Sequence, residues 1–219
     1  MNDLISLNVE PLTRSPQHFN LTARVLHWCM ALAILGMLFV GIGMVASLSL
    51  RPTLVSLHRP LGIAILLLVI VRLVNRLRHR PPALPADLPH VQVLAAKASH
   101  WLLYTLMFAM PLVGWSMLSA GGYPVTMFKG FSLPPIAPHN ATVYALLRST
   151  HTWLALLLFA TVLMHLAAAL FHAWVRRDGV FRSMVSGTRR DEASTEIVTY
   201  DAEEQPAFID VNNVNADND

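Results

Sequence analysis

The sequence predicts an all-α protein, an integral membrane four-helix bundle with both termini on the cytoplasmic side. Three observations lead there. Hydrophobic residues make up 54% of the 219 positions and charged residues 13%, about half of the roughly 25% usual in soluble domains. Mean hydropathy is +0.49. Acids are missing from long stretches, with none between Glu10 and Asp87 or between Asp87 and Asp178. The apolar residues collect into four runs, each near the ~20 residues that cross a hydrocarbon core of roughly 30 Å. Such a composition excludes an ordinary soluble globule and a disordered chain, and no nucleic-acid partner is expected. Backbone polar groups in lipid must pair internally, so the runs are helices.

The first run, Val25–Leu50, carries no Asp, Glu, Lys or Arg. Its leader is too long for a signal peptide and no small-residue cleavage site follows, so it reads as a retained span. The second, Leu54–Val71, is interrupted near its start by His58, Arg59 and Pro60. Pro81, Pro82, Pro85 and Pro89 make the next link extended. The third run, Ala98–Ala120, ends at Gly121, Gly122 and Pro124. Residues 121–147 read as a longer outer loop, with Phe128 and Phe131 at the membrane interface. The fourth run is Ser149–Val175. Residues 191–219 hold nine acids and no Lys or Arg, which leaves residues 1–190 with 16 bases against four acids. The expected organisation is a cytoplasmic leader over 1–20, a transmembrane domain over 21–185 and an acidic, disordered cytoplasmic tail over 186–219. Twelve bases flank the ends facing the termini, against Arg51, Arg59, Lys129 and Arg148 on the other side. That bias puts both termini in the cytoplasm.

Histidines inside spans are costly and usually functional. Six lie in or at the ends of the runs: His27, His58, His100, His151, His165 and His172. His18, His79, His90 and His139 fall in the leader or loops and read as solvated. His151 and His165 are fourteen residues apart, so their rings share a helix face about 21 Å apart along the axis. That is too far for one metal and suits two haems stacked across the membrane. Each iron then needs a second imidazole at matching depth. His58 opens the second span on the outer side, where His151 opens the fourth, so these two pair. On the inner side His165 pairs with His27, with His100 competing for the place. Two axial imidazoles per porphyrin give a one-electron carrier whose chemistry belongs mainly to the cofactor. Arg72, fourteen residues after His58, reaches the inner depth on the same face and needs an anionic partner there, which a haem propionate would supply. Arg24 and Arg76 are alternatives. Trp28, Trp101, Trp115, Trp153 and Trp174 read as belt residues. The single cysteine, Cys29, excludes an internal disulfide, an iron–sulfur cluster and covalent c-type haem attachment. It is expected to be buried and inert.

These residues resemble the bacterial cytochrome b561 family, four-helix dihaem cytochromes of the inner membrane. The matching pieces are Arg24-Val-Leu-His27-Trp28; His58 with Gly62 and Arg72; His100-Trp-Leu-Leu-Tyr104 with Pro111-Leu-Val-Gly114; and His151 followed by His165-Leu-Ala-Ala-Ala-Leu-Phe-His172. They cover about residues 20–185. The resemblance carries the haem-iron ligands onto His27, His58, His151 and His165, and implies two haem b. It implies superoxide oxidation on the periplasmic side with ubiquinone reduced near the cytoplasmic side. His172 matches a position at the family's quinone site, with His100 and Arg76 as further quinone candidates. No catalytic side chain is assigned beyond the haems. The outer bases, on a side with no acid, would draw in a small anion. The family also includes electron-transfer partners of other dehydrogenases. The second expectation is therefore a non-catalytic haem b subunit or anchor for a separate dehydrogenase or hydrogenase, with a soluble or membrane redox partner. The third is a haem-free, histidine-lined transporter.

Overall fold

The structure is a computed structural model that describes residues 19–79, 88–128, 131–178 and 180–185. The chain divides into a unit over Met1–Thr188 and another over Arg189–Asp219. Most of the predicted leader, residues 80–87 of the proline-rich link, Lys129 and the predicted acidic tail lie outside the described residues.

Each long helix starts where a residue can satisfy its free N–H groups or lacks one. The Asn20 side chain accepts from Ala23 N–H at 2.7 Å and opens α1, Leu21–Ala46. Pro52 stands in the first turn of α2, Arg51–Arg78, where a missing N–H costs nothing. Pro89 precedes α3, His90–Ala120. The Asn140 side chain accepts from Val143 N–H at 3.0 Å and opens α4, Ala141–Phe171. α3 ends in a Schellman turn. Gly122 takes φ +73°, and Tyr123 N–H returns to Leu118 O at 2.9 Å.

Several boundaries differ from the sequence reading. α2 runs unbroken through Pro60 and on past Val71 through Arg72, Arg76 and Arg78. Arginine is a good helix former, so the charges mark where the apolar stretch stops and not where the hydrogen-bond ladder stops. α3 starts eight residues before the apolar run, so His90 begins a helix and does not sit in a loop. α4 also starts eight residues early, at the Asn140 cap. The outer segment read as a loop holds an antiparallel hairpin, β1 Val125–Phe128 with β2 Phe131–Leu133, before α4 begins. Cys29 is exposed on α1 and not buried, because it lies outside the stripe through Met30 and Ile34 that faces the core.

The helices run up and down, α1 packing on α2, α2 on α3 and α3 on α4. Met30 and Ile34 from α1, Ile65, Leu66 and Val69 from α2, and Met107 from α3 form the buried core. Within the four spans just 11–22% of the apolar windows is buried inside the protein. The remaining leucine, isoleucine and phenylalanine surface faces outward, which suits lipid and not water. This is a membrane bundle of four spanning helices.

After α4 the chain makes one wide π-turn over His172–Arg176. Arg177, at φ 54°, closes it through Arg177 N–H to His172 O at 2.9 Å. A short helix, α5 Val180–Val185, follows.

Removing the Asn140 cap tests how much α4 relies on it. Asn140→Ala should lower stability by about 1 kcal/mol, seen as earlier loss of helical circular dichroism on heating the detergent-solubilised protein.

Candidate haem and electron-transfer site

The bundle brings five of the six span histidines together at two levels. At the level nearer the end of α1 and the start of α2, His58 on α2 faces His151 on α4, with ring centroids 6.2 Å apart and planes at 67°. At the level nearer the start of α1 and the end of α4, His27 on α1 faces His165 on α4 at 6.4 Å and 66°. His100 on α3 meets the same His165 ring at 5.5 Å. Among the described residues no group of three or more His, Cys, Asp or Glu is placed to enclose a bare metal ion.

The helix boundaries move these rings inward from the span openings that the sequence suggested. His58 is seven residues into α2 and His151 ten residues into α4, roughly 10 and 15 Å from their helix starts. At this level Nδ1 of both His58 and His151 is buried without a hydrogen-bond partner. Gly114 on α3 lies against the His151 ring, where an added Cβ would come within 3.3 Å of His151 Cε1. The absence of a side chain at 114 is what lets α3 and the imidazole sit together.

The level of His27 and His165 is built by arginines. Arg72 Nε donates to Tyr104 Oη at 3.2 Å, and one terminal nitrogen donates to Ala23 O at 3.2 Å. One guanidinium thus ties α2 to α3 and to the start of α1, with donors of its five-N–H fork left over. Arg76 stacks over the Tyr104 ring at 5.6 Å. Arg24 donates to Val185 O at 2.6 Å, and Trp28 Nε1 donates to Met184 O at 3.2 Å. These two bonds hold α5 against α1. Trp28 is therefore more than a belt residue, and so is Trp115, which donates to Pro134 O at 2.9 Å and holds the outer segment to α3.

His172 stands apart from both levels, in the π-turn, with its Nδ1 against Asp178 Oδ2 at 2.5 Å. Tyr104 and Asp178 are two structurally engaged polar residues beside the site that sequence reasoning did not single out for a role. Tyr104 was visible only as one residue of a motif. Asp178 carried a signal, being a lone acid inside a long basic stretch.

A family model described as prokaryotic cytochrome b561 matches residues 18–187. The chain belongs to the prokaryotic cytochrome b561 family. It is 28% identical over 184 residues to cytochrome b561 homolog 2 of Escherichia coli, spanning 82% of this chain and 97% of that protein. It is 30% identical over 166 residues to the probable superoxide oxidase CybB of Yersinia pestis, spanning 75% of this chain and 93% of that protein. A third relative, cytochrome b561 homolog 1 of Escherichia coli, is 29% identical over 128 residues, or 58% of this chain and 72% of that protein. As a cytochrome b561 the chain is a bacterial membrane electron-transfer protein, and the family binds b-type haem.

The imidazole geometry fits that cofactor. A metal–imidazole bond of about 2.0–2.1 Å, with a nitrogen about 1.1 Å from its ring centre, would place two rings that hold one iron between them at about 6.2–6.4 Å between centroids. The 6.2 and 6.4 Å pairs match this spacing. The His100–His165 distance of 5.5 Å falls short of it.

Crowding the His151 ring from α3 provides the test. Gly114→Val should lower the haem retained per polypeptide, read as reduced α-band absorbance at equal protein, while Gly36→Ala, with nothing within 4 Å of an added Cβ, should not.

Proposed function

We propose that this cytochrome b561 holds two haem b, oxidises superoxide at the periplasmic side and reduces ubiquinone near the cytoplasmic side of the inner membrane. The observation that carries the reading is the doubled pair of facing imidazoles, His58 with His151 and His27 with His165, fourteen residues apart along α4. In this reading those four residues would hold the two haem irons and His100 lines the inner pocket. Bound haem supplies reversible one-electron transfer. Arg72, with Arg24, offers cationic donors to propionates at the inner level, and Arg76 with His100 and His172 borders the quinone.

The substrate side rests on charge and on a relative. Arg51, Arg59 and Arg148 stand at the periplasmic end with no acid there among the described residues, and such a field raises the encounter rate of a small anion. A relative at 30% identity carries the name probable superoxide oxidase. The reaction balances as two superoxide ions, two protons and one ubiquinone giving two dioxygen and one ubiquinol. Both termini face the cytoplasm, following the twelve-to-four distribution of bases.

A pyridine haemochrome assay should find two haems per polypeptide. His58→Ala or His151→Ala should leave one, and His100→Ala should leave two. A superoxide pulse onto the purified protein with ubiquinone should give rapid haem reduction followed by quinol. A haem-loaded protein inert to superoxide would mark an electron-transfer subunit for a separate dehydrogenase or hydrogenase, and a colourless protein would overturn the haem assignment.

A further inference from the structure

Asp178 is the single carboxylate among the described residues. Its side chain is 8% exposed, so its charge has to be met from within the protein. His172 Nδ1 meets Oδ2 at 2.5 Å, Arg176 Nε approaches the same oxygen at 3.4 Å, and Val180 N–H donates to Oδ1 at 3.2 Å. Arg176 also donates to Gln92 Oε1 on α3 at 3.1 Å, and Arg182 follows on α5.

The backbone bends in two unusual ways to make this contact. The π-turn over His172–Arg176 widens the helix end, and Arg177 takes a left-handed conformation at φ 54°, which costs a residue with a Cβ about 1 kcal/mol or more. Together they return Asp178 to an imidazole six positions earlier. Neutralising Asp178 would need only Arg176. The shorter contact goes to His172, and it has a chemical consequence. A carboxylate accepts and does not donate, so Nδ1 carries the proton in this pair and Nε2 is left as the nitrogen that exchanges. His172 lies seven residues beyond His165 toward the end of α4, about 10 Å further along the helix direction.

We propose that Asp178 is a positioning residue, holding His172 with Nε2 as the proton-donating nitrogen for quinone reduction at the cytoplasmic end. This rests on the quinone reading above. One quinone takes two electrons from the protein and two protons from the cytoplasmic water, and becomes one quinol. Each proton passes from Nε2 of the doubly protonated imidazole to a quinone oxygen, and water then reprotonates Nε2. Nδ1–H stays with Asp178 throughout.

The test uses haem-loaded protein, reduced with stoichiometric dithionite and mixed anaerobically with ubiquinone-1. Haem reoxidation and quinol formation are followed together. Asp178→Asn should slow both by roughly ten- to a hundredfold, with haem content and α-band position unchanged. Asp178→Glu should recover most of the rate. Asp178→Asn should add no further loss in a His172→Gln background, and in D2O the wild-type rate should fall about twofold or more. Wild-type speed in Asp178→Asn, or an equal loss from it in the His172→Gln background, would overturn the proposal. Should Asp178→Asn fail to hold haem, the solvent isotope effect on the wild type decides, and its absence overturns the proposal. A wild-type haem that ubiquinone does not reoxidise overturns the quinone reading and this inference with it, while full quinone activity in both variants overturns the inference alone.

Discussion

An imidazole inside a lipid-spanning helix has to be answered by something across the bundle, and α4 makes that demand twice. His151 and His165 share one face because fourteen residues is close to a whole number of turns. Every other helix is arranged around them. α2 brings His58 to the first ring, α1 brings His27 to the second, and α3 passes beside both with Gly114 at one level and His100 at the other. The spacing across each pair, 6.2 and 6.4 Å, is one at which the two rings would hold one iron between them. A cytochrome of this kind needs little from its side chains beyond holding these rings at fixed depth and keeping water away.

The two ends of the bundle are built differently. The end where α1 begins and α4 ends is dense in guanidinium groups, and several have structural work. Arg72 fastens α1, α2 and α3 through Ala23 and Tyr104, Arg24 fastens α5, and Arg176 links α3 to Asp178. A buried carboxylate among so many bases is electrostatically at ease, which explains why a single acid is tolerated there. The opposite end carries fewer bases, a short hairpin and tryptophan and glycine turns that hold the outer segment on α3. Its described surface leaves positive charge without opposing acid.

Much of the bundle was legible in the sequence. Four acid-free apolar runs gave four spans, and Gly121 with Gly122 gave the end of α3. The helix limits were less legible, because hydropathy reports lipid contact and not hydrogen bonding. Arg72 to Arg78 stay helical although they are charged, and the first eight residues of α3 and of α4 are helical although they lie outside the apolar runs. The fate of Cys29 was misread for a related reason. An apolar helix in lipid buries one stripe and exposes the rest, so apolar neighbours do not imply burial.

The sequence by itself determined the number of spans and the levels of the histidines, since helical period and rise are fixed by the backbone and convert spacing directly into face and depth. It left His27 and His100 as rivals for His165, because depth along a helix does not say which neighbouring helix comes near. Tertiary packing decided the distances, 6.4 Å to one ring and 5.5 Å to the other. Packing also decided the contact between His172 and Asp178, which depends on a π-turn and a left-handed Arg177. Neither feature follows from periodicity, because both are departures from it that the surrounding contacts hold in place.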